Sequence, residues 1–169
     1  AVDRLCRAID THERIMVYGD YDVDGTTAVA LMYSFLRKLT DNLVYYIPDR
    51  YTEGYGISVK GIDTAKEQGC TLVIALDCGI KAVDKIAYAT SLGIDFIVCD
   101  HHTPGDEIPQ AVAVLNMKRA DCNYPFKELS GCGVGFKLAQ AYALRRGMDM
   151  REVYRLLPLL AMSIASDVV

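Results

Sequence analysis

Short apolar runs alternate with amphipathic stretches along most of the 169-residue chain. Leu5, Ala8 and Ile9 lie on one side of residues 1–13 and predict the end of an amphipathic helix. Ile15-Met16-Val17-Tyr18 predicts a first strand over 14–19. Beyond Gly25, the residues Ala28, Met32, Phe35, Leu36 and Leu39 recur at about the 3.6-residue helical period. Leu43 to Ile47 reads as a second strand closed by Pro48, and 57–68 as a helix ended by Gly69. Residues 71–76 are apolar without interruption, as in a strand covered on both faces. A helix over 81–91 and a strand over 94–99 follow. A short fifth strand is expected over 111–115, a loop through Pro125, and helices from about 134 to 146 and 151 to 164.

Strands separated by helices of this length form right-handed βαβ units, so the expected fold is α/β. A parallel sheet of about five strands should be flanked by helices, with a more helical C-terminal third. The length suits one domain with a sizeable core. The chain begins without methionine and stops just after an apolar segment, so a piece of a longer protein is expected. Neither a signal-peptide pattern nor a run long enough to span a membrane is present in the sequence. The six cysteines form no Cys-x-x-Cys pair, and Cys78 and Cys99 end apolar runs. They read as reduced, cytoplasmic thiols packed as small hydrophobes. A net charge of −4 gives no basic footprint for nucleic acid, although two bound divalent cations would cancel it.

The candidate chemistry begins where the first strand ends, at Gly19-Asp-Tyr-Asp-Val-Asp-Gly25. If extended, this stretch would crowd Asp20, Asp22 and Asp24 on one face, which calls for a cation among them. The same letters open a calcium-binding hand. That loop needs a carboxylate at its twelfth position, where this chain has Leu31. Ligands of an open parallel sheet bind beyond the carboxyl ends of its strands. Asp77 follows the third strand, Asp100-His101-His102 the fourth, and Asp167 the last helix. Alone, Asp77 reads as a turn former and the histidines as loop residues; together they read as a metal site. His12 lies in a polar stretch and is assigned no role. Oxygen-rich ligands with some imidazole and no thiolate suit Mn²⁺ or Mg²⁺. Their number points to two ions, the apparatus of in-line attack at phosphorus. A phospho-receiver-like domain, whose acidic pocket takes one ion, lacks the Asp-His-His stretch.

In order and spacing, Asp20-Tyr-Asp-Val-Asp-Gly25, Leu76-Asp-Cys-Gly79, Asp100-His-His102 and Ala165-Ser-Asp167 resemble the four motifs of DHH-type phosphoesterases. Arg50-Tyr-Thr-Glu-Gly-Tyr-Gly56 and Ser130-Gly-Cys-Gly-Val-Gly-Phe-Lys137 narrow the likeness to the family's bacterial exonucleases acting on single-stranded DNA. The resemblance implies a metal-dependent exonuclease, working 5′ to 3′ and releasing mononucleotides in recombination and repair. It implies that Asp20 and Asp22 serve one metal with Asp77 bridging, and that Asp24, His101 and Asp167 complete the second. His102 would face the scissile phosphate as stabiliser or proton donor. Asp100 would orient the histidines or reach a metal through water.

Arg50 can fork onto a phosphate. Tyr51 and Tyr55 offer faces for unpaired bases or for packing. Gly131, Gly133 and Gly135 open a helix whose first amides, with Lys137, are expected to hold a phosphate. A second α/β domain and an OB-like module, usual in this branch, are not visible in the chain. Contacts with a helicase or single-strand-binding protein would run through those parts. Alternatives are a sibling enzyme acting on short oligonucleotides, a cyclic dinucleotide or pAp, and a catalytically silent scaffold.

Overall fold

The computed structural model describes residues 1–167. Five strands, β1 (Ile15–Gly19), β2 (Leu43–Tyr46), β3 (Leu72–Leu76), β4 (Asp95–Cys99) and β5 (Ala113–Leu115), form one sheet in the order β2-β1-β3-β4-β5. Every neighbouring pair is parallel. Seven helices occur among the described residues: α1 (Val2–Asp10), α2 (Val23–Leu36), α3 (Val59–Glu67), α4 (Val83–Ser91), α5 (Gly131–Arg145), α6 (Arg151–Tyr154) and α7 (Leu157–Ser166). None of them is long and apolar enough to cross a membrane.

Alternation along the strands builds two cores. Ile15, Val17, Leu72, Ile74, Leu76 and Ile97 pack under α1, α2 and α5. Met16, Tyr18, Val73, Ala75, Phe96 and Val98 pack against Ile62 and Ala65 of α3 and Ile86 and Ala89 of α4. Both faces of the central strands are covered, which accounts for their unbroken apolar runs. Cys78 and Cys99 are buried in these cores, and all six cysteines are free. The strand order reverses between β1 and β3, so a crevice opens where their carboxyl ends diverge. Asp20 and Asp77 are the residues that immediately follow those two strands.

Three expectations are corrected. The three aspartates do not share one extended face: Asp20 follows β1, Asp22 caps α2 and Asp24 lies in its first turn. The N-cap bond from the Gly25 amide to Asp22 starts the helix before Gly25. The helix expected from 151 to 164 is two helices, because Pro158 fits the first turn of a new helix and not the interior of an old one. The helix expected from 134 already starts at Gly131, capped by Ser130.

Candidate metal centre

Asp24, His101 and Asp167 come together from α2, the end of β4 and the end of α7, with ligand atoms within 4.8 Å of one another. Asp77, His101 and His102 form a second such group sharing His101. His101 Nε2 lies 3.1 Å from Asp77 Oδ1, 3.5 Å from Asp167 Oδ2 and 3.7 Å from Asp24 Oδ2. Four buried polar atoms here have no hydrogen-bond partner among the described residues: Asp20 Oδ2, Asp77 Oδ1, His101 Nδ1 and Asp167 Oδ2. Buried polar groups are otherwise almost always satisfied, so orphaned carboxylate oxygens beside an imidazole mark a place for a cation. Hard oxygen donors with imidazole fit Mn²⁺ or Mg²⁺. Asp20 and Asp22 stand outside the two compact groups, though close enough to interact with them.

The electrostatics agree with a place for positive charge. Burial, then the neighbouring Asp24 and Asp22, pushes the Asp77 carboxyl up to about 10. Burial also raises Asp20, with Asp22 adding to it. Asp77 holds a left-handed backbone at φ 59°, uncommon for any residue but glycine. Its amide donates to the Cys99 carbonyl. Such strain concentrates at functional sites, where the fold fixes a side chain that the local chain disfavours.

Asp100 behaves differently. Burial alone would raise its carboxyl, but hydrogen bonds from His102 and the Ile80 amide bring it below the usual carboxylate range. Oδ1 accepts from the His101 amide at 2.7 Å, the His102 amide at 3.1 Å and His102 Nδ1 at 2.7 Å. Oδ2 accepts from the Ile80 amide at 2.9 Å. With both oxygens occupied, Asp100 orients the histidines. The bond to Asp100 raises the His102 pKa. His102 Nε2 lies 2.9 Å from the Tyr55 hydroxyl.

Asp24 is doubly used. Its Oδ2 accepts the Gly131 amide at 2.6 Å, and its Oδ1 accepts the Cys132 amide and the Ser163 hydroxyl, each at 2.8 Å. The Gly133 amide goes to Ser130. The amides of Gly131 and Gly133, expected to be free for a phosphate, are thus already engaged within the protein. Gly131 serves close approach instead: a Cβ there would lie 2.4 Å from that of Asp77. Lys137, one turn further, is exposed beside the apolar residues Phe126, Leu160 and Ile164. Arg50 sits over the Tyr21 ring at 5.4 Å, and Tyr21 meets Tyr55 edge-on. Tyr51 stands almost wholly in solvent.

The sequence assigns no individual role to Ser130, Ser163 or Glu53. Ser130 and Ser163 hydroxyls lie 2.6 Å apart under Asp24. Ser before a glycine-opened helix is a capping signal, and Ser163 interrupts an apolar run. Glu53 ties the loop that carries Tyr55 to the Ser58 and Tyr46 hydroxyls, each at 2.7 Å.

The chain is 48% identical over 141 residues to the single-stranded-DNA-specific exonuclease RecJ of Bacillus subtilis (strain 168), covering 83% of this chain and 18% of that protein. It is 38% identical over 179 residues to RecJ of Escherichia coli (strain K12), covering all of this chain and 31% of that one. The chain therefore spans under a third of the length of these relatives. A crystal structure of exonuclease RecJ bound to manganese superposes with a TM-score of 0.89 at 30% identity, over 99% of this chain and 42% of that one. RecJ from Thermus thermophilus in complex with Mn²⁺ matches at 0.79 and 28% identity, over 96% and 22%. Residues 14–164 match the family model described as the DHH family, N-terminal domain, and the chain belongs to that family.

Proposed function

We propose that this chain is the DHH catalytic domain of a larger metal-dependent phosphodiesterase, an exonuclease that degrades single-stranded DNA from the 5′ end. The observation that carries this reading is the convergence of the unpartnered buried oxygens of Asp77 and Asp167 on His101, with a further unpartnered buried oxygen on Asp20. Asp24, Asp77, His101 and Asp167, with Asp20 and Asp22 beside them, would hold two divalent cations, Mn²⁺ or Mg²⁺. Such ions supply charge neutralisation at phosphoryl oxygens and acidify water for in-line attack.

The chain's own residues do the rest. Asp100 fixes the His102 ring through Nδ1 and favours its protonated form. His102 Nε2 is then the atom that offers charge, or a proton, to the phosphate and the departing oxygen. Arg50 and Tyr55, on one loop next to His102, are the groups that would bind the strand. A soluble cytoplasmic enzyme of recombination and repair, resembling the bacterial RecJ relatives, is the setting this activity suits. Contacts with a helicase or single-strand-binding protein would belong to other parts of the protein, as would a second α/β domain and an OB-like module.

The test is Mn²⁺-dependent digestion of 5′-labelled and 3′-labelled single-stranded oligonucleotides by the full-length protein, beside an Asp77→Ala control. Immediate release of labelled 5′ mononucleotide, absent in the control, is the expected result. Turnover of dinucleotides or pAp alone would replace the exonuclease with a small-substrate enzyme. No turnover of any phosphoester would leave a scaffold.

A further inference from the structure

A cavity of about 210 Å³ opens beside the carboxylate cluster, where the turn from β3 to α4 faces the Tyr55 loop. Its lining joins Tyr55, Asp100 and His102 to Lys81 and Lys85. Both lysines are exposed. Five other lysines have partners: Lys38, Lys60 and Lys118 pair with glutamates, and Lys66 and Lys127 donate to carbonyls, while Lys137 lies unpaired away from this cavity. Among the described residues, Lys81 and Lys85 have neither kind of partner. They also stand at the start of α4, whose N-cap Ala82 lines the cavity and provides no side-chain cap. Cations are unfavourable at a helix start unless an anion lies between them and the amides. Asp84 supplies one negative charge in that first turn, against two ammonium groups without a salt-bridge or hydrogen-bond partner among the described residues.

We propose that this cavity is a second phosphate subsite, in which Lys81 and Lys85 take the non-scissile phosphate next to the one facing His102. The inference rests on the nuclease reading and deepens it. A lone phosphoester needs one anion site, whereas a strand brings a further phosphate with each nucleotide. His102 belongs to both the cavity and the cluster, and Asp100, which holds its ring, lines the cavity, so adjacent phosphates would reach both from one strand. Lys81 and Lys85 are thus binding residues that favour a polymer over a mononucleotide.

The experiment uses the full-length protein with Mn²⁺ and single-stranded oligonucleotides, comparing the parent with a Lys81→Ala/Lys85→Ala double variant. KM should rise about tenfold in the variant, the loss of a charge-assisted phosphate contact, with kcat changed far less. The dependence of log KM on log salt should become shallower by about 0.7, the single-strand value for one lost phosphate contact. A neutral methylphosphonate at the linkage next to the scissile one should impose a similar KM penalty on the parent and almost none on the variant. Lys81→Arg/Lys85→Arg should restore parent behaviour. A parent-like KM in the alanine variant, or an equal methylphosphonate penalty in both proteins, overturns the subsite and leaves the nuclease intact. A parent that degrades no strand overturns both.

Discussion

The Asp24 carboxylate accepts the Gly131 amide at 2.6 Å, so a residue of the aspartate motif on α2 also caps α5, which lies more than a hundred positions away in sequence. Cys132 N–H and Ser163 Oγ complete the arrangement, locking α2, α5 and α7 together beneath the metal centre. Acidic groups are favourable at a helix N-terminus, where amides lack partners and the dipole is positive. The same contacts leave Asp24 Oδ2 near His101, at 3.7 Å.

Asp24→Asn should therefore destabilise the domain even without metal. An amide offers one acceptor oxygen where the carboxylate offers two, and its NH₂ would face a backbone donor. A loss of about 1–3 kcal/mol is expected for a buried donor left unpaired. Thermal unfolding in EDTA checks this, with a fall in Tm of roughly 2–4 °C per kcal/mol for a domain of this size. An unchanged Tm in EDTA would reduce Asp24 to a metal ligand alone.

Asp77→Asn should have the opposite effect on metal-free stability. The folded-state carboxyl is raised to about 10, so the native state keeps a proton that the unfolded chain releases near pH 4. This contribution is fully present below the unfolded value and is lost as pH rises toward the folded one. In EDTA at pH 8 the amide variant should be more stable than the parent by on the order of 2 kcal/mol, shrinking toward pH 4. Asparagine also tolerates the left-handed backbone at this position. Denaturant unfolding across that pH range reads the difference, while phosphodiester turnover should be abolished.

Much of this was legible in the sequence, and the reason lies in where the signals sit. The β3 run is apolar throughout, and β4 is apolar after Asp95, because helices cover both faces, and that marks parallel strands without any structure. Their carboxyl ends then locate Asp77 and Asp100 at once. Contacts between segments distant in the chain were not legible. Nothing local says that the Gly131 amide is taken, because its partner is Asp24. The apolar period puts the start of that helix near 134 because three glycines in its first turns have low helical propensity, which capping from Ser130 and Asp24 overrides. Extended geometry holds at Asp22 but not at Asp24, because the capping Asp22 begins the helix earlier than the apolar period suggests.

Gly131→Ala should cost both stability and metal affinity. The added methyl would fall 2.4 Å from Asp77 Cβ and 2.5 Å from its Oδ1, against a residue that the backbone already holds in a strained conformation. Overpacking of this kind costs about 1–3 kcal/mol. Mn²⁺ affinity, read by calorimetry, should fall at least tenfold as the Asp77 carboxylate is displaced. Parent-like Mn²⁺ binding would show that Asp77 is not a ligand.

Glu53→Gln should loosen the loop that presents Tyr55. Burial alone would raise this carboxyl, but hydrogen bonds from Ser58, Tyr46 and the Asp49 amide, with Lys60, bring it down to about 2. A lowered folded-state value contributes stability above the unfolded range and loses it as pH falls through about 2. The variant should be less stable than the parent at pH 7, and the gap should close on acidification from pH 5 to pH 2. Circular dichroism during acid titration follows this directly.

Tyr55→Phe tests how His102 is presented. The hydroxyl lies 2.9 Å from Nε2 and the ring meets the imidazole edge-on at 5.7 Å, so removal of one oxygen leaves the packing and deletes the bond. Asp100 still holds Nδ1, so the ring should keep its orientation. If Tyr55 positions His102 during turnover, kcat should fall about tenfold, within the range for losing one hydrogen bond to a charged group. If the substrate displaces the hydroxyl before reaction, deleting it removes a competitor: KM should fall and kcat should hold. Steady-state kinetics on single-stranded oligonucleotides separates the two, and the wild-type geometry, with the hydroxyl occupying Nε2, favours displacement.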